Sequence, residues 1–155
     1  MSLTVQLAKR FREVLLDGVW IANTNFKDQL SGVTWQQATA KIGSLNTIAM
    51  LTFHIDYYIA GLVHVFEGGN LEIRDQYSFD LPPIESQDQW KCLLTKLWED
   101  AEKFAALLEQ MPDAKMNEVF VDEKYGSYLR NIEGMIEHCY YHLGQVTLIR
   151  KLLNE

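Results

Sequence analysis

The sequence predicts an all-α domain, a four-helix bundle with a long crossover between its second and third helices. Three observations predict it. Four segments carry apolar residues at three- and four-residue steps, glycine or proline stops three of them, and one connection is far longer than a helical hairpin needs. In the first segment Leu7, Phe11, Val14 and Leu15 share a face and Gly18 marks the stop. A polar stretch with Asn23, Asn25, Ser31 and Gly32 follows. Thr34 and Gln37 then have the spacing of a capping box, predicting a short helix before Gly43.

The second long segment has the clearest stripe, Ile48, Thr52, Ile55, Ile59, Leu62 and Phe66, ended by Gly68-Gly69. The third opens after Pro82-Pro83 with another capping-box spacing, Ser86 and Gln89. It carries Trp90, Leu93, Leu97, Ala101, Phe104 and Leu108 and ends before Pro112. The fourth runs from about Ser127 to Leu153, with Leu129, Ile132, Ile136, Cys139, Leu143 and Val146 on one face. Leu71-Glu72-Ile73 and Glu118-Val119-Phe120-Val121 are expected as small extended pieces in the long loops.

The second connection, GGNLEIRDQYSFDLPPIE, is 18 residues long. Fully extended it covers about 60 Å, whereas the second helix is expected to be about 35 Å long. The connection can therefore cross the bundle and leave helices two and three parallel, so an up-down-down-up order is preferred. A chain of 155 residues without repeats or low-complexity tracts reads as one domain, residues 1–155. That length buries roughly 68–70% of the unfolded surface.

The formal net charge of −7 disfavours broad nucleic-acid binding, which needs a basic footprint. Two cysteines, Cys92 and Cys139, are too few for a disulfide scaffold. The longest largely apolar stretch, Ile48 to Phe66, is interrupted by His54, Asp56 and His64 and is not expected to span a membrane. The N-terminal segment lacks the pattern of a signal peptide. A cytoplasmic location, with neither membrane nor nucleic acid as partner, is the default expectation.

The chemistry concentrates in the histidines. His138 and His142 stand four apart on the fourth helix, which stacks two imidazoles one turn apart where both can reach one metal. A third ligand would then come from a neighbouring helix. His54 lies near the middle of helix two. His64 lies roughly 15 Å further along the axis, too far for a metal with nitrogen bonds near 2.0–2.1 Å to take both. One of the two is outside the site. His64, near Glu67 and the helix end, reads as exposed or capping. Spacing alone leaves two readings open, a three-histidine metal site and a set of surface or hydrogen-bonded core histidines.

The run HCYYHLGQVTLIRKLL, from His138 to Leu153, resembles the C-terminal signature of the DinB-like (YfiT-like) superfamily, a His-x3-His pair followed by Gly-Gln and a basic Arg-Lys. SLNTIAMLTFHIDYYIAGL, with His54 in mid-helix, looks like that family's first metal-ligand region. The resemblance implies a four-helix up-down-down-up bundle, a divalent metal held by His54, His138 and His142, and frequently a homodimer. Some members of the superfamily are transferases or isomerases that use low-molecular-weight thiols.

Three neutral imidazoles leave coordination positions open, the mark of a catalytic rather than a closed structural site. Zinc or nickel is expected first, and ferrous iron also accepts such ligands. The expected partner is a small-molecule substrate, a thiol among the candidates, and the reaction a transfer or hydrolysis. The competing reading is a non-enzymatic helical protein that self-associates through aromatic surfaces, its histidines structural or vestigial; Trp20, Trp35, Trp90 and Trp98 are the interface candidates, with core preferred for most of them. Glu133 and Glu137 read either as carboxylates that orient an imidazole or, preferably, as a solvated face. Gln145 either lines the site or bridges to a neighbouring helix. Among Tyr57, Tyr58, Tyr140 and Tyr141, one or two are expected to face a pocket. Arg150 and Lys151 suit the helix C-terminus. Cys139 shares the apolar stripe and reads as core. The residues between His138 and His142 lack the glutamate of HExxH, and no P-loop, dinucleotide fingerprint or nucleophile elbow is present.

Overall fold

The computed structural model describes residues 1–155. It is all-helical, with six α-helices: α1 (Leu3–Arg12), α2 (Phe26–Leu30), α3 (Trp35–Thr39), α4 (Ile48–Phe66), α5 (Gln87–Gln110) and α6 (Tyr128–Leu153). Each begins at a Ser, Thr or Asn whose side-chain oxygen accepts a first-turn backbone N–H. The capping box at Thr34 is present, so the expected short helix forms as α3. At Ser86 the reciprocal contact shifts by one residue, because the Gln89 side chain accepts from Glu85 N rather than from Ser86 N. The short α2, capped by Asn25, had no periodic stripe to announce it.

α1 continues through a π-helical turn, Glu13–Asp17, and stops at Gly18, where a Cβ would sit 2.5 Å from the Glu13 Cα. α4 ends at Phe66, and Gly68 takes φ +96, a conformation that glycine adopts without strain. The expected extended pieces do not form strands. Only one bridge, Val119 to Ser127, is present.

One hydrophobic core joins the long helices, with Trp90, Phe11, Phe26, Phe104 and Phe120 as its largest fully buried side chains. α4 packs against α5 and α6, and α1 packs against the same two helices. Pair contacts set the directions. Along α4 and α5 the ion pairs advance together, Asp56 with Lys96 at 2.8 Å and Glu67 with Lys103 at 2.6 Å, so these helices run parallel. Along α4 and α6 they run in opposite order, His54 meeting His138 and Phe66 meeting Tyr128. α1 opposes α5, since Thr4 bonds Asp113 just beyond the α5 end while Arg12 pairs with Glu109.

Because α4 and α5 are parallel, the segment between them must return along α4. Tyr57 pins it there, its hydroxyl accepting from Arg74 N at 2.8 Å and donating to Arg74 O at 3.1 Å. Gly61 lets it lie close, since a Cβ there would meet Ile73 at 2.6 Å.

The expectation that no segment qualifies as a membrane span needs amendment. By length and composition α4 does, with a mean hydropathy of 1.3, but 67% of that window is buried inside the fold. Its apolar residues face protein on several sides, which is why its stripe is broad. Asp56 is buried on this helix. Burial pushes its carboxyl up to about 7, against the lowering effect of Lys96.

Trp90 is fully buried and its indole N–H donates to Val33 O at 2.9 Å. Replacing Trp90 with alanine is expected to cost about 3–5 kcal/mol in urea denaturation, from lost contacts and the cavity left behind. A loss below about 1 kcal/mol would contradict this packing.

Candidate metal centre

The Thr47 cap starts α4 so that His54 falls near mid-helix, and the antiparallel α6 brings His138 and His142 opposite it. The three side chains converge. His138 Nε2 lies 3.1 Å from His54 Nε2 and 2.8 Å from His142 Nε2, and the ligand atoms of all three lie within 4.8 Å of one another. His54 and His142 are buried, and His138 is half-buried.

The far side of two rings is tied down. His54 Nδ1–H donates to Ser78 O at 3.2 Å, and His142 Nδ1–H donates to Gln145 Oε1 at 2.6 Å. Such outer partners fix the tautomer and leave Nε2 as the lone-pair nitrogen. His138 Nε2 lies between the other two and has at most one proton to give, so one of the two short contacts must set lone pair against lone pair. A Lewis-acidic cation removes that conflict at all three nitrogens. Nitrogens bound to one zinc are about 2.9 Å apart at a right angle and about 3.3 Å apart at the tetrahedral angle. The two spacings at His138 sit at the short end of that range, all three ligand atoms lie within 4.8 Å of one another, and the cluster could hold a metal ion.

Aromatic rings enclose the cluster. Phe79 stacks on His54 with centroids 4.0 Å apart and planes 8° from parallel. Tyr58 meets His54 and His138 edge-on at 5.1 and 5.2 Å, and its hydroxyl donates to Asp75 Oδ1 at 2.6 Å. Burial and the Asp75 bond push the Tyr58 phenol up to about 12. Burial also holds all three imidazoles below the ordinary histidine range. At His138 the neighbouring His142 and His54 add to burial, and the value falls to about 4.

A cavity of about 580 Å³ borders the cluster on the His138 side, lined by Tyr58, Arg74, Asp75, Lys124, Arg130 and Met135 among others. A slightly larger cavity, about 600 Å³, lies between α4, α5 and the crossover and contains none of the three histidines. Of these two cavities only the first touches a candidate ligand, His138.

The other candidates resolve as follows. His64 is exposed, 3.8 Å from Glu72 and away from the cluster. Cys139 is in the core, where burial pushes its thiol up, and Cys92 is exposed. Glu133 pairs with Arg10 and Glu137 with Arg130, each at 3.4 Å, so neither orients an imidazole. Gln145 lines the site. Arg150 serves another element, donating to the Asp28, Gln29 and Ser31 carbonyls at the end of α2. Of the tyrosines, Tyr58 faces the cluster and Tyr141 touches its edge, 4.9 Å from His142. Ser78, Phe79 and Asp75 were not foreseen, and no spacing in the sequence ties that loop to His54.

No protein-family model, curated protein or solved structure matches this chain.

In an unfolded chain histidine titrates near 6.5, whereas the metal-free fold holds His138 down at about 4. The buried neutral ring thus contributes fully above about pH 6.5, and that contribution is lost as pH falls through this window. Between about pH 7.5 and about pH 5, the urea midpoint of metal-free wild type is expected to fall more steeply than that of His138→Ala. Equal slopes would contradict the assigned burial.

Proposed function

We propose that this chain is a divalent-metal protein of the DinB-like type, holding the metal through His54, His138 and His142 and acting on a small molecule in the cavity beside His138. The observation that carries the reading is the convergence of three Nε2 atoms, two of them on rings whose Nδ1 is anchored outside the cluster. The cluster contains no fourth protein donor, which favours an open site over a closed structural one. The four long helices fit an up-down-down-up bundle, a reading supported by the parallel α4–α5 and antiparallel α4–α6 contacts.

When bound, a metal with an open position lowers the pKa of a coordinated water or thiol. The chain's own residues do the rest. Ser78 and Gln145 hold two imidazoles in the ligating tautomer. Phe79 covers one face of His54, keeping water from it. Tyr58 keeps its proton directed at Asp75 and lines the cavity next to His138. The reaction class we favour is transfer or hydrolysis on a small substrate, with a low-molecular-weight thiol as the co-substrate the resemblance suggests. Zinc or nickel suits the all-nitrogen set, and ferrous iron is also accepted.

One observation favours a second reading, a non-enzymatic protein that self-associates. Val19, Trp20 and Ile21 are 58%, 73% and 76% exposed in one loop, and Ile21 holds φ +65, costly for a β-branched residue. The same surface serves a homodimer under the first reading. Trp90 is core and Trp35 and Trp98 are partly buried, so of the four tryptophans Trp20 alone is prominent at the surface.

Metal content separates the readings. Protein purified without an affinity tag is expected to carry about one divalent metal per chain by mass spectrometry, with at least a tenfold loss on replacing His54, His138 or His142 by alanine. His64→Ala should retain it. Metal retained by all three variants, or absent from wild type, would overturn the proposal.

A further inference from the structure

The cavity beside His138 is lined by α4, by the crossover and by the run of chain from Phe120 into α6. The crossover supplies Arg74 and Asp75, the connection before α6 supplies Lys124 and Tyr125, and α6 itself supplies Arg130, Asn131, Met135 and His138. These stretches are held in place. Arg74 is clamped at its backbone by Tyr57, and the Asn131 amide donates to Tyr125 O at 2.9 Å. Phe120 packs edge-on against Tyr128 beneath them.

The charge of this lining runs against the charge of the molecule. The chain has 14 basic and 21 acidic side chains, yet three of the basic ones and a single acidic one line this cavity. That acid, Asp75, already accepts the Tyr58 hydroxyl. Arg74 and Lys124 have no carboxylate within ion-pair distance, and Arg130 has only the long contact to Glu137 at 3.4 Å. Unpaired cations also occur elsewhere on the surface, so what sets this lining apart is its three cations gathered around a single acid. The remainder of the lining is apolar or aromatic, including Leu62, Leu71, Ile73 and Phe120. The volume, about 580 Å³, is that of a small-molecule site.

We infer that this cavity binds a small organic anion, a carboxylate or phosphate monoester on an apolar body, with its anionic end held by Arg74, Lys124 and Arg130 and its other end at His138. The assignment rests on the proposed site and names the substrate class for it. Guanidinium groups bind carboxylate and phosphate oxygens in a bidentate fork, and a lysine adds a point charge. The helix sets the ruler. Arg130 and His138 are eight residues apart on α6, about 12 Å along its axis. The ligand's anionic group is therefore placed about 12 Å from the end that meets the histidines.

The test uses, on the full chain with and without zinc, four probes that share a phenylalkyl body: 6-phenylhexanoate, 6-phenylhexyl phosphate, 6-phenylhexan-1-ol and 6-phenylhexan-1-amine. Binding is followed by calorimetry and by amide chemical-shift changes. Both anions are expected to bind at least tenfold more tightly than the alcohol or amine, with affinity falling as salt rises. The stronger of the two identifies the headgroup. Lys124→Gln combined with Arg130→Gln should bring the anions to the level of the alcohol while zinc content stays unchanged. Arg74→Gln alone should give a smaller loss in the same direction. Equal binding of anion, alcohol and amine, no binding of either anion, or anion affinity untouched by the double variant would overturn the inference. Anion selectivity without zinc uptake would leave the inference standing and remove the metal. Zinc uptake without anion selectivity would do the reverse.

Discussion

The parallel run of α4 and α5 is the constraint on which the site depends. Two parallel helices joined in sequence cannot be linked by a tight turn, so the chain leaving Phe66 must travel back along α4 before α5 begins at Gln87. That return carries Ser78 and Phe79 over His54 and sets Asp75 against Tyr58. It also delivers Arg74 to the cavity wall. The Tyr57 hydroxyl, bonded to both the N–H and the C=O of Arg74, keeps the return in register with the helix. Each such bond is worth about 0.5–1.5 kcal/mol net, and together they hold a loop that the core alone would leave loosely placed.

The electrostatics follow from what surrounds the imidazoles. No carboxylate belongs to the cluster, and the nearest acid bearing on His54 and His138 is Asp75, itself occupied by a phenol. A divalent ion held by three neutral nitrogens keeps its full charge in such a place. Such an ion would supply Lewis acidity and attract anionic ligands, and the unpaired Arg74 and Lys124 bias the cavity in the same direction. The molecule's acidity lies elsewhere, in the paired glutamates of α5 and α6 and in Asp56, buried on another face of α4 against Lys96.

Much of this was legible in the sequence. The stripes of α1, α4, α5 and α6 have period near 3.6, and the core uses Leu7, Ile55, Leu97 and Ile132 as that period demands. The i, i+4 spacing of His138 and His142 fixes their shared face on any helix, and distance along α4 excludes one of His54 and His64, which the structure shows to be His64. Long-range partners were not legible. Nothing local in SFD predicts that Ser78 meets His54, because loop placement follows from where α5 must start. The extended pieces failed for a related reason, since Leu71–Ile73 lies along α4 instead of pairing with a strand. α2 escaped notice because five residues hold too little of the helical period to register, and only the Asn25 cap marks it. Gln145 was visible as a candidate, but the choice between site and neighbouring helix needed the 2.6 Å contact to His142.

The central claim is that three imidazoles and no other protein group bind one metal. X-ray absorption at the metal edge of the purified protein tests it most directly. A shell of about three imidazole nitrogens near 2.0–2.1 Å is expected, completed by light-atom ligands that exchange with added small molecules. A sulfur shell near 2.3 Å, a fourth protein ligand that closes the sphere, or no metal at the edge would contradict it.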